Sequence, residues 1–216
     1  MKHDEDTQDF FIHRDLLLAR SQFFRGQISE SETIDSQPHC QTFELSNVRP
    51  ATFATYTNLI YMTRLTTRGP EEWHWPCRLY ILAERLQDIE TKNTVIDGMF
   101  LYLQEAIPVF STTPVTKDPA NVDAHSLGWL YGHTPENSPV RRLAVDLYAQ
   151  TGRAEWLQAD KGKYPAEFVW DLAIRLVQRR QASSLLSSGL DVMSPLDYHE
   201  TLAVGEAHSN GSECRS

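Results

Sequence analysis

His13-Arg14-Asp15-Leu16 is the first place where residue types and their order could do chemistry. The same order opens a phosphoryl-transfer catalytic loop, in which the Asp accepts a hydroxyl proton. The surroundings do not support that chemistry. The fourth residue past Leu16 is Arg20, where such a loop holds a magnesium-binding Asn; no Asp-Phe-Gly follows, and no nucleotide lobe fits ahead of it. His13 is expected to pack or hydrogen-bond at a strand-helix junction. His39, Cys40, His74 and Cys77 have the donor types of a zinc site. Adjacent His39 and Cys40 do not easily converge on one tetrahedral ion, and the paired short spacings of structural sites are missing. Gly98, Gly128, Gly132 and Gly152 are isolated, no Ser sits in a nucleophile elbow, and Glu71-Glu72 falls in a polar loop. The expectation is no catalytic, cofactor-binding or metal-ligating residue, and no cofactor.

Charge and composition narrow the partners. The 216 residues carry a formal net charge of −9, the wrong sign for a phosphate backbone, whose binding needs clustered Lys and Arg to release counterions. The basic doublets Arg141-Arg142 and Arg179-Arg180 read as exposed faces of helices. No apolar run is long enough to cross a bilayer, and Met1-Lys2-His3-Asp4-Glu5-Asp6 is polar and acidic, unlike a secretory signal. Cys40, Cys77 and Cys214 are odd in number and widely spaced, which suits plain thiols in a reducing compartment. Neither nucleic acid nor membrane is an expected partner, and the expected location is cytoplasm or nucleus. Asn210-Gly211-Ser212 then counts as part of a flexible tail rather than a glycosylation site.

The elements follow from periodicity. Phe10 to Ile12 is a β-prone run, and Asp15 and Ser21 are placed to cap two short helical pieces. Residues 26 to 41 are polar and read as a loop. Thr42-Phe43-Glu44-Leu45 alternates with period two, as a half-buried strand does. Pro50 fits the first position of a helix whose face is Phe53, Tyr56 and Ile60. Leu79, Leu82, Ala83 and Leu86 form one apolar stripe, and Val95, Ile96, Met99, Phe100 and Leu103 form another. Thr91 or Asn93 is placed to cap between them, giving an antiparallel pair. Trp73 and Trp75 lie in a turn-rich stretch, as lids over the core or as anchors for a partner. Pro and Thr concentrate between Pro108 and Pro119, which reads as a linker. Val140, Leu143, Ala144, Leu147 and Tyr148 make an amphipathic helix stopped by Gly152. A second one, after Tyr164-Pro165, carries Phe168, Val169, Leu172, Ala173 and Leu176 on one face. Beyond Arg180 periodicity is lost, and a disordered tail is expected.

Phe11-Ile12-His13-Arg14, Leu16-Leu17 and Ser21-Gln22-Phe23-Phe24 resemble the start of a BTB/POZ domain. The likeness continues through Thr42-Phe43-Glu44-Leu45, Phe53 with Leu59-Ile60-Tyr61, Leu79 to Leu86, and Lys92 to Asp97. Thr134 to Pro139 with Arg141 to Tyr148 is similar to a tail common in fungal BTB proteins, so a fungal origin is an implication of the resemblance. The resemblance implies an α+β fold, a helical layer with a small sheet, followed by a C-terminal helical extension. The nine polar residues ahead of Phe10 do not supply the hairpin partner that family members usually have there: either the chain is a truncated version, or it lacks one sheet partner, which would leave a strand edge open. Family members often dimerise there, and the acidic residues at the start would repel across a two-fold axis, so a monomer or weak dimer is expected. Members that bind cullin scaffolds carry hydrophobic-x-Glu where this chain has Phe53-Ala54-Thr55. The apolar anchor is present and the acid is missing, which implies weak cullin binding at most.

The resulting expectation is a BTB/POZ-like domain over residues 1–107, a linker over 108–135, a C-terminal helical region over 136–182 and a disordered tail over 183–216. Its function is expected to be noncatalytic protein-protein interaction, as a self-associating scaffold or adaptor. The alternatives are a substrate adaptor of a cullin-type ubiquitin ligase and an unrecognised enzyme. Phe53, Thr55, Tyr56, Trp73 and Trp75 are the candidate interaction residues.

Overall fold

The computed structural model describes residues 7–32, 42–62, 73–110, 122–182 and 193–201. Among them every regular element is helical: α1 (Arg14–Arg20), α2 (Gln22–Glu32), α3 (Pro50–Met62), α4 (His74–Leu86), α5 (Ile89–Phe110), α6 (Ala124–His133), α7 (Pro139–Thr151), α8 (Ala154–Ala159) and α9 (Ala166–Ala182), with a 3-10 turn at Pro195–Tyr198. No strand occurs among the described residues, so the expected α+β class with a small sheet is corrected to an all-helical one.

The reason is visible at both expected strands. A strand needs a partner to pair its N–H and C=O groups, and neither run finds one. Their apolar side chains are satisfied by helices instead. Phe10 meets the edge of Phe53 at 5.0 Å, and Phe43 meets Phe24 at 5.4 Å. Phe43 and Leu45 are half-buried while Thr42 and Glu44 are exposed, so the period-two burial survives without a ladder. Tyr61 and Met62 form the last turn of α3.

Ser21 separates α1 from α2 and is fully buried. Its Oγ accepts the Phe24 N–H at 3.3 Å and donates to the Leu86 carbonyl at 2.5 Å, so the expected cap also ties α2 to the end of α4. Asp15 is not a cap. The capping position of α1 is His13, and Asp15 lies in the first turn, where its charge suits the positive end of the helix.

The expected stripes of α3, α4 and α5 are buried at Phe53, Tyr56 and Ile60; Leu79, Leu82, Ala83 and Leu86; Val95, Ile96, Met99 and Phe100, while the Leu103 side chain lies outside the described ones. Gln87, left-handed at φ 53°, ends α4, and a single residue, Asp88, separates it from α5. Asp88 supplies the cap expected of Thr91 or Asn93. It is fully buried, accepts the Thr91 N–H at 2.9 Å and hydroxyl at 2.7 Å, takes the Tyr56 hydroxyl at 3.1 Å, and faces Arg20 Nε at 3.5 Å.

The second half joins the same core. α6 falls inside the interval expected to be a linker. Asp123 caps it by accepting the Ser126 N–H at 2.9 Å, and buried Leu127 and Leu130 turn it onto the core shared with α4. A single hydrophobic cluster runs from Leu17 to Tyr198, across the boundary expected near residue 108. Residues 193–201, expected to be disordered, pack through buried Tyr198; the rest of that expected tail lies outside the described residues.

α7 buries Val140, Leu143, Ala144, Leu147 and Tyr148 as expected. It ends where the Gly152 N–H donates to the Tyr148 carbonyl at 2.9 Å. Gly152 has φ −59°, so its need for glycine is one of space. A Cβ there would stand 2.3 Å from Tyr148 O. Gly152→Ala should therefore cost about 2 kcal/mol through displacement of the chain leaving α7. An unchanged urea midpoint would show that the close approach does not exist in solution.

Candidate interaction surface

The residues expected to meet a partner divide by burial. Phe53 and Tyr56 belong to the core and are not available to a partner in this fold. Phe53 sits between Phe10 and Tyr56, and burial beside the Asp88 charge pushes the Tyr56 phenol far above its ordinary pKa. Thr55 is half-buried, and its hydroxyl donates back to Ala51 O at 3.0 Å, one turn earlier. Trp73 is buried with its ring edge-on to Tyr102, the lid role considered for it, and Trp75 is half-buried on the first turn of α4. The five residues do not form one exposed patch.

The other chemically suggestive residues also have structural roles. His13 Nδ1 lies 2.7 Å from the Tyr61 hydroxyl, which also accepts the His13 backbone N–H at 3.1 Å, pinning the start of α1 to the end of α3. Cys77 is buried in α4, and burial, then the charge of Asp123, hold its thiol far above the usual pKa. His74 stacks on His125 of α6 at 5.4 Å. His39, Cys40 and Glu71-Glu72 lie outside the described residues. Among the described residues no group of three or more His, Cys, Asp or Glu side chains is arranged to hold a metal ion.

The sequence does not expose the most unusual surface, which is on α9. Phe168 and Leu172 are buried as expected, but Val169, Ala173 and Leu176 are exposed. The helix is turned so that Phe168 and Leu172 face inward. Phe168 packs on Tyr131, Tyr148 and Tyr164, and Arg175 pairs with Asp146 of α7. The opposite side presents Trp170, 69% exposed, with Ile174 and Val177 also exposed. Ala166, Trp170, Ala173 and Val177 follow one another at spacings of four, three and four, the seam spacing of a helix that packs on another helix. That spacing was present in the sequence. The same helix also carries a second apolar face, through Phe168 and Leu172.

An apolar stripe on the outer side of a helix already packed on its inner side is an unmet demand for burial. Arg179 and Arg180 in the last turn place positive charge at one end of it. A shallow cleft of about 720 Å³ lies beside α6, lined by Asp123, His125, Trp129, His133, Asp160 and Lys163. Its polar groups are already engaged: Asp160 pairs with Lys163 at 2.8 Å, and His133 stacks on Trp129 at 4.6 Å. No helix among the described residues is long and apolar enough to cross a membrane. No protein-family model, curated protein or solved structure matches this chain.

Proposed function

We propose that this chain is a noncatalytic protein-protein interaction module, a scaffold or adaptor. It docks through the outward face of α9 on a partner helix that is apolar on one side and bordered by acidic side chains. The observation that carries the reading is the exposed Trp170, Ile174 and Val177 stripe on a helix whose other side is already packed. Burying it supplies the apolar centre of an interface, with Trp170 as the anchor, and Arg179 and Arg180 select the charge of the partner's rim. A free, buried Cys77 suits a reducing location, the cytoplasm or nucleus.

The test is affinity purification with the wild-type chain and with Trp170→Glu/Val177→Glu, followed by cross-linking. Both positions are exposed, so the double variant should melt within a few degrees of wild type. A partner cross-linked next to α9, weakened by salt and lost with the double variant, is the expected result. An unchanged set of partners on a folded double variant overturns the reading.

A further inference from the structure

Residues 193–201 are held against α5 and α7 in the manner of a bound peptide. Ser194 and Asp197 close a capping box that turns the chain at Pro195, and the next three residues each reach a different group on the helices. The Tyr198 ring is buried against Phe100 at 5.7 Å, and its hydroxyl donates to Asp146 Oδ2 at 2.8 Å. His199 Nε2 lies 2.8 Å from Asp97 Oδ1. The Glu200 carboxylate pairs with Lys92 Nζ and accepts the Tyr80 hydroxyl at 3.1 Å. Asn93 spends both ends of its amide on the main chain of the same residue: Oδ1 accepts the Glu200 N–H at 2.8 Å, and Nδ2 donates to the Glu200 carbonyl at 3.0 Å.

This division of labour is that of recognition. A side-chain amide that pairs with both main-chain groups of one residue satisfies a non-helical backbone whatever its side chains are, as a neighbouring strand would. Lys92, nearly buried, then selects an acid at that residue, and the Phe100–Asp146 pocket selects a phenol two residues earlier. The lysine keeps a second carboxylate, Glu84 at 3.1 Å, so vacating the groove does not strand its charge. The walls belong to α4, α5 and α7, whose inner faces are filled by Leu79, Leu82, Val95, Ile96, Met99 and Leu143.

We propose that this groove is a binding site for a Tyr-x-Glu segment of a partner protein, occupied in cis by Tyr198-His199-Glu200. It uses residues other than the outward face of α9 and does not depend on docking there. A tethered segment competes at an effective concentration in the millimolar range, so a peptide in trans binds the wild-type chain weakly until its own segment is loosened.

The probe is a fluorescein-labelled peptide with the sequence of residues 193–201, titrated into the full chain and followed by anisotropy. Tyr198→Ala/Glu200→Ala, which empties the groove of its own side chains, should bind the peptide at least about tenfold more tightly than wild type. Adding Asn93→Ala should remove that gain, and a peptide with Ala for Tyr and Glu should not bind. The proposal is overturned by a folded Tyr198→Ala/Glu200→Ala chain that binds no peptide, or by binding indifferent to Asn93. Failure of that variant to fold, by circular dichroism, also overturns it, because the segment is then part of the core rather than its ligand.

Discussion

Leu82→Asp should destabilise the chain by about 4 kcal/mol or more, enough to unfold much of a marginally stable domain. Leu82 is buried on the inner face of α4, among side chains of the single cluster that unites the described helices. The substitution removes a leucine's worth of apolar burial, about 2 kcal/mol, and adds the larger cost of a carboxylate with no cation arranged to meet it. Leu101→Asp is the control. That position on α5 is 53% exposed, and the change should stay within about 0.5 kcal/mol. Chemical denaturation measures both. A Leu82→Asp chain that melts like wild type would mean that α4 does not pack with this face inward.

Arg141→Met should cost about 3 kcal/mol, although Arg141 begins a basic doublet that resembles ordinary helix surface. Arg141 is 5% exposed. Its Nη2 donates to the carbonyls of Tyr131 and Thr134, its Nε to the Thr134 hydroxyl at 2.9 Å, and its guanidinium lies 4.4 Å from the centroid of the Tyr131 ring. These acceptors are where α6 ends, so one side chain of α7 closes the carbonyl end of its neighbour. Methionine would fill the space and leave the carbonyls without a donor. Glu167→Gln should cost less than about 0.5 kcal/mol, because that carboxylate is largely in water although it lies 3.0 Å from Arg141 Nη1. Equal losses from the two substitutions in urea denaturation would assign the role to the ion pair instead of the carbonyls.

Arg141 also shows where local reading ends. Arg142 beside it is exposed, as both were expected to be, and nothing in the doublet distinguishes the two. What distinguishes them is the α6 terminus, placed by Asp123, Leu127 and Leu130 in the 108–135 interval that was expected to be a linker. The cap and the spacing of Leu127, Leu130 and Tyr131 were nevertheless in the sequence, as legible as those of α7.

The sequence by itself determined which side chains of α3, α4, α5 and α7 turn inward, because residues three and four apart share a face of a helix wherever that helix is placed. It also determined the buried Ser21 cap and the start of α3 at Pro50, since both act within a single turn. Tertiary structure decided the rest. Phe10–Ile12 and Thr42–Leu45 alternate or favour extension, yet a strand exists only when a second segment pairs with it, and here helices pack against their side chains instead. α9 has apolar residues nearly all round, so its own periodicity cannot choose between faces. The aromatic cluster around Phe168 and the pairing of Arg175 with Asp146 chose, and left Trp170 outside. Glu200 and Asn93 are more than a hundred residues apart, and an amide pairing with a distant backbone has no local signature until the fold brings the two together.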